Sequence, residues 1–322
     1  MIFKKSSNNK IKYFKSSWNR ENAPITVGLL LCTCLLFYNC KKTYEQPSNN
    51  WDQFITFKEG NFPLILVAPH GGDLKPQWID DRDCDNAVIT QDQYTLGIAL
   101  QLEQALHDLG IKPYMVLTKI HRIKIDLNRS LETSVCEDDT SNELWQLFHQ
   151  QIEAYRRDVA QKYGRGLLID IHGHGHPIQR IELGYLITSH QLRNASNEGN
   201  FNDLNMNVSI KSLVSNHPEN QPLDQILLGR NSLGTLLTSQ GFPAVPSEQD
   251  PAPNVGDPFF SGGTNTKNYG SRDGGKIDAI QLELNRQGLR QESENRQEFS
   301  RVFARIISTY MHYHYSDIIP PL

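Results

Sequence analysis

Cysteine is scarce in the body of this chain. Of five in 322 residues, Cys32, Cys34 and Cys40 fall in the first 40, which leaves Cys84 and Cys136. Neither sits in a CxxC pair, so a thiolate zinc site is excluded. In an oxidising compartment the two suffice for one disulfide. A Gly-x-Ser-x-Gly elbow is missing, which removes the serine-hydrolase reading. No apolar run reaches the roughly 20 residues of a membrane-crossing helix, and no segment repeats. Basic charge is short as well. Residues 1–40 hold six of the 32 basic and one of the 36 acidic residues, so the remainder carries 26 against 35, a net charge near −9. A nucleic-acid partner, which needs a basic surface, is excluded on that ground.

The first 40 residues stand apart from the rest. Lys4, Lys5, Lys10, Lys12, Lys15 and Arg20 precede an uncharged apolar run over 25–38. A basic flank followed by a short apolar core is the pattern of a secretory signal. Asn39 closes the run and Cys40 follows it, as the lipidated cysteine does in a bacterial lipoprotein, although Tyr38 and Asn39 are larger than the residues usual there. Residues 1–40 therefore predict a lipoprotein-type signal and 41–50 a tether. The expected location is outside the cytoplasm, held to the membrane by an N-terminal lipid or an uncleaved anchor.

Residues 51–322 have the length of one α/β domain. Apolar runs at 62–68, 112–118, 167–171, 183–188 and 277–284 read as strands. Helical spacing places Leu96, Ala99, Leu100, Leu102, Leu106 and Leu109 on one face of 91–109. Two further helices are expected over 142–163 and 292–313. Strands alternating with helices predict a mainly parallel or mixed central sheet flanked by helices. The stretch 191–222 reads as a polar, Asn-rich insert.

Chemistry gathers at the expected strand ends, where such folds place their sites. One strand ends in Pro69-His70-Gly71-Gly72-Asp73, another in Asp170-Ile171-His172-Gly173-His174-Gly175-His176. Neutral imidazole is a common metal ligand, and a catalytic zinc takes three protein ligands with one position open. His70 and His172 supply two ligands. Asp73, three residues after His70, and Asp92, before the following helix, both qualify as the third, with Asp83 behind them. Glu283 lies in an apolar strand, where a buried carboxylate needs a reason, and a general base is one. Arg122 and Arg129 flank a strand-like segment over 121–129, and arginine grips carboxylates or a developing oxyanion. His174 reads as a hydrogen-bond partner of the substrate or of His172. His176 reads as a loop residue, and His149, His190 and His217 as surface residues.

Together these pieces resemble the N-formylglutamate amidohydrolase family, which has a zinc-carboxypeptidase-like fold. The matching pieces are Pro69-His70-Gly71, Arg122-x3-Asp126-Leu-Asn128-Arg129, Ile169-Asp170-Ile171-His172, Phe260-Ser-Gly262-Gly263 and Gln281-Leu-Glu283, in the family's order. The resemblance implies zinc on His70, His172 and a carboxylate. It implies Glu283 as general base, Arg122 as carbonyl polariser, and Asn128 and Arg129 as holders of a substrate carboxylate. The substrate would be an N-acyl amino acid or a related carboxylate-bearing small molecule or short peptide. The chain departs from the family at Gly71, where PHSG has its serine, in the histidine-rich 173–176, and in the extra insert at 191–222. An envelope peptidase or amidase of the same fold, and a non-catalytic metal-binding lipoprotein, are the rival readings.

Overall fold

The strands that place the chemistry are those whose sequences are apolar on both faces. The computed structural model describes residues 51–136, 141–205 and 207–319. Export and lipidation at Cys40 lie outside the described residues. Seven strands form one sheet: β1 (Ile55–Lys58), β2 (Leu64–Ala68), β3 (Tyr114–Thr118), β4 (Gly166–His174), β5 (Ile181–Gly184), β6 (Ala244–Val245) and β7 (Ile277–Asn285). Their order is β1-β3-β2-β4-β7-β5-β6. The four central strands β3, β2, β4 and β7 run parallel, β1 opposes β3, and β5 opposes β7 while pairing in parallel with β6. All residues of β2, β3 and β7 are buried, as a sheet covered on both faces requires.

Alternation along the strands sorts apolar from reactive residues. On one face, Leu167, Ile169, Ile171, Ile280, Leu282 and Leu284 join the core formed with helices α1 (Thr95–His107) and α9 (Ser293–His314). On the other, Ile65, Val67, Leu168, Ile277 and Ala279 pack with α3 (Asn142–Tyr163). Towards the carboxyl ends, this second face changes from apolar residues to Asp170, His172, Gln281 and Glu283, all buried.

Several expectations are corrected here. Residues 121–129 form consecutive turns rather than a strand. The polar stretch 191–222 carries most of α4 (Ser189–Glu198) and all of α5 (Lys211–Ser215), and it buries Leu192, Leu204, Ile210 and Leu213 in the main core. Its composition hid a sparse apolar set at helical spacing. On α1, Leu100 and Leu109 face outward, and Ile98, Ala99, Leu102 and Leu106 make the buried stripe. His149 and His217 are buried rather than on the surface, each held by a neighbouring side chain, Tyr269 and His314 respectively.

The long loop between β2 and α1 is held by two devices. Cys84 and Cys136 are joined in a disulfide across 52 positions of sequence. Buried Arg82 donates to the carbonyls of Val88, Arg122 and Thr133. Among the described residues, no helix is long and apolar enough to cross a membrane.

At the start of β7, Asp278 is fully buried and accepts hydrogen bonds from Ser271 Oγ, Leu213 N and Tyr315 OH. Burial pushes its carboxyl up to about 6, against those three donors, which lower it. An acid with a raised folded pKa binds its proton more tightly when folded, so stability is fully present below its unfolded pKa. It is lost as pH rises from there through the folded value. Asp278→Asn is expected to remove a pH-dependent loss of roughly 3 kcal/mol. Urea midpoints of parent and variant between pH 4 and 8 check this; a difference that does not change with pH refutes it.

Candidate metal centre

His70 follows β2, and Asp92 lies just ahead of α1. The two segments are joined by a bond from Asp92 N to the His70 carbonyl, at 3.1 Å. Asp92 then caps its own loop, its carbonyl accepting from the Thr95 hydroxyl at 2.8 Å. His172 projects from the last turns of β4. These three side chains, distant in sequence, converge in the fold. Asp92 Oδ2 lies 3.4 Å from His70 Nδ1 and 3.0 Å from His172 Nδ1. The imidazole rings stand edge to face at 4.8 Å.

The far nitrogens have different partners. His70 Nε2 donates to Asp126 Oδ1 at 2.7 Å, whereas His172 Nε2 accepts from Asn128 Nδ2 at 3.2 Å and stands 3.1 Å from Asp170 Oδ2, which has no hydrogen bond among the described residues. Both aspartates are fully buried. A proton held on His70 Nε2 leaves its Nδ1 lone pair free towards the carboxylate of Asp92. Two imidazoles converging on one carboxylate form a donor set that a cation can bridge. Tetrahedral zinc with bonds near 2.0 Å sets its ligands about 3.3 Å apart, close to the two distances seen here. The donor set therefore fits a divalent metal.

The charges around the rings agree. Burial favours neutral His172, but the carboxylates of Asp170, Asp92 and Glu283 outweigh it and raise its pKa well above the ordinary value. A proton takes the place of positive charge there. Burial likewise works to raise Asp126, yet His70 and Arg122 hold it low. Arg122 grips Asp126 Oδ2 with Nε at 3.0 Å and Nη2 at 2.9 Å, leaving Nη1 3.8 Å from Asp92 Oδ1.

Glu283 pairs with His172 across β4 and β7, on the same face of the sheet. Its Oε1 accepts from Gln281 Nε2 at 2.8 Å, while Oε2 is buried and has no partner among the described residues. Burial pushes its carboxyl up to about 8; His172 opposes this, and the nearby carboxylates of Asp92, Glu182 and Asp170 reinforce it. A carboxyl group with one free oxygen beside the cluster is suited to exchange protons.

The other expected residues are placed differently. Asp73 is exposed and accepts from Gln91, so it takes no part in the cluster; its turn carries it outward from His70. His174 has no nitrogen to offer a substrate. Its Nδ1 accepts from His176 N and its Nε2 donates to the Arg180 carbonyl. The Asn128 amide is spent on His172 Nε2, at 3.2 Å, and on Asn265 N, at 2.8 Å. Gly263 allows this close fit, since a Cβ there would stand 2.4 Å from Asn128 Nδ2. Arg129 is half-buried and bonded to the carbonyl of Asn128.

Beside the cluster opens a cleft of about 610 Å³, whose walls include Asp92, Arg122, Gly173, His176, Phe260 and Arg286. Arg290 escaped sequence reasoning. Its buried guanidinium donates to the carbonyls of Leu284, Gln93 and His174 and lies against Gly173, where a Cβ would meet it at 2.4 Å. A lone arginine after a strand carries no sequence signal for this role. Asp126 and Asp170 were visible as motif residues, but their task behind the histidines shows in the geometry alone.

No known protein-family pattern matches the chain, and no curated protein matches it by sequence. Solved structures do. An N-formylglutamate amidohydrolase from Ralstonia eutropha JMP134 is 12% identical with a TM-score of 0.53, covering 82% of this chain and 99% of its own. A gene product of Agrobacterium tumefaciens is 11% identical at a TM-score of 0.47, with coverages of 80% and 94%. An N-acetylmuramyl-L-alanine amidase from Mycobacterium smegmatis is 12% identical at 0.37, with 77% and 96%. At such identities the first likeness is one of fold, and it is the fold seen in that amidohydrolase.

Proposed function

We propose that this chain is a metal-dependent hydrolase of amide bonds, with zinc on His70, Asp92 and His172. Its substrate would be an N-acyl amino acid or a related carboxylate-bearing molecule. The observation that carries the reading is the convergence of His70, backed by Asp126, and His172 on Asp92, with the half-free carboxyl of Glu283 one strand away. The fold shared with the Ralstonia amidohydrolase supports it.

Zinc held there would polarise a carbonyl and bring the pKa of water towards roughly 7. The protein's own groups do the rest. Glu283 takes a proton from the attacking water through Oε2 and returns it to the leaving nitrogen, so the amide and water become an acid and an amine. Arg122, fixed by its two bonds to Asp126, presents Nη1 to the carbonyl oxygen that gains charge. Asp126 holds the His70 imidazole in the ligating tautomer, and Asp170 lies beside His172. The signal-like N-terminus favours a substrate met outside the cytoplasm, such as an envelope peptide bearing a free carboxylate.

Three outcomes are expected. Glu283→Gln should retain metal and lose about 10²–10⁴-fold in turnover on a panel of N-acyl amino acids and short peptides; full-rate turnover would refute the base assignment. Metal analysis should find the ion absent from His172→Ala and Asp92→Ala and present in Asp73→Ala, with Asp126→Asn binding about 10- to 100-fold more weakly. Metal retained by Asp92→Ala but lost from Asp73→Ala would reverse the third ligand. Finally, acyl labelling in a bacterial host should mark the parent chain but not Cys40→Ser; an unlabelled parent removes the lipid anchor.

A further inference from the structure

Of the histidines lining the cleft, His121, His174 and His176, the last is held by a buried carboxylate. Its Nδ1 donates to Glu182 Oε1 at 2.8 Å, and its ring stacks on Phe260 with centroids 4.6 Å apart. Glu182 is fully buried, and its second oxygen accepts from Phe260 N at 2.7 Å. One carboxylate therefore fixes both the imidazole and the residue it stacks on. His176 lines the cleft, and its Nε2 has no hydrogen-bond partner among the described residues. Glu182 pairs with Glu283 across β5 and β7, so the dyad stands one strand beyond the proposed base.

His174, His176 and Glu182 lie close enough to suggest a second metal. The donors argue against it, because both ring nitrogens of His174 already serve the backbone. An anion fits better. Arg286 lines the same cleft, is exposed, and its guanidinium has no partner among the described residues. Gln179 ties the two segments together: its Nε2 donates to the His176 carbonyl at 3.0 Å and its Oε1 accepts from Gln287 N at 3.2 Å. Of the groups that the family resemblance assigns to a carboxylate, Asn128 is engaged with His172 and Asn265, and Arg129 gives one nitrogen to a backbone carbonyl.

We propose that His176, oriented by Glu182, and Arg286 form the carboxylate-recognition site of this cleft and thereby select anionic substrates. The inference rests on the hydrolase reading above for its purpose, though not for its geometry. Glu182 accepts from Nδ1 and fixes the ring, so Nε2 is the nitrogen left to meet a ligand. Arg286 supplies a planar pair of donors suited to a carboxylate.

Calorimetric titration of the zinc-loaded full-length chain in detergent with glutarate tests it. The parent should bind glutarate and discriminate against glutaramide, its uncharged diamide. Arg286→Ala and His176→Gln should each weaken glutarate binding about 10- to 100-fold, the worth of one charge-assisted hydrogen bond. Arg286→Ala removes an exposed side chain without partners, so it tests the site even where His176→Gln folds poorly. Arg157→Ala, on the outer face of α3, should change nothing. Equal glutarate affinity in parent and Arg286→Ala, or equal binding of the diamide, overturns the proposal. A chain that binds glutarate through these residues yet cleaves no amide sinks the hydrolase reading alone. One that cleaves amides with unchanged KM in Arg286→Ala and His176→Gln sinks this inference alone.

Discussion

Buried negative charge at the carboxyl ends of the strands governs this structure. Asp92, Asp126, Asp170, Glu182 and Glu283 stand close together with almost no access to water. Each needs a positive or proton-donating neighbour, since an uncompensated buried charge is costly. Arg122 answers Asp126, His70 and His172 answer Asp126 and Asp170, and His176 answers Glu182. Arg290 contributes charge from beneath Gly173 while giving its hydrogen bonds to carbonyls. What is left over is Asp92, set between the two imidazoles, and Glu283 with one bare oxygen. Those two residues are where an added cation and a transferable proton fit the balance.

This arrangement explains why so many polar residues occupy a sheet that is otherwise apolar. The face towards α1 and α9 is apolar along the strands, with Arg290 against Gly173 as its buried charge near the site. The opposite face changes character within two residues, from Leu168 to Asp170 and from Ala279 to Gln281. Parallel pairing then sets His172 beside Glu283, and the reversed β5 adds Glu182 to the same row. Strand register alone thus sets His172, Glu283 and Glu182 in one row.

Much of this was legible in the chain because apolar runs and helical stripes are local signals. The five long strands and the three long helices appear within a few residues of their expected bounds, and His70, His172 and Glu283 stood out as polar residues at strand ends. The third carboxylate did not. Asp73 and Asp92 are alike in sequence, and it is the return of the chain before α1 that brings Asp92 back against His70. The roles of His174 and His176 were also unreadable, because the Gly-His repeat offers both equally. The turn at 175–180 decides between them by spending His174 on the backbone. The stretch 191–222 misled for a different reason: a few buried leucines outweigh many exposed polar residues when a segment packs on a core.

The bond between Cys84 and Cys136 has a consequence for how the site is assembled. It closes the loop that bears Asp92 onto the turns that bear Arg122 and Asp126, so three residues of the cluster and its surround share one covalent ring. Were an ion held there as proposed, thiol oxidation and metal affinity would be linked: whatever stabilises the ring would favour the arrangement the ion binds, and a bound ion would in turn protect the ring.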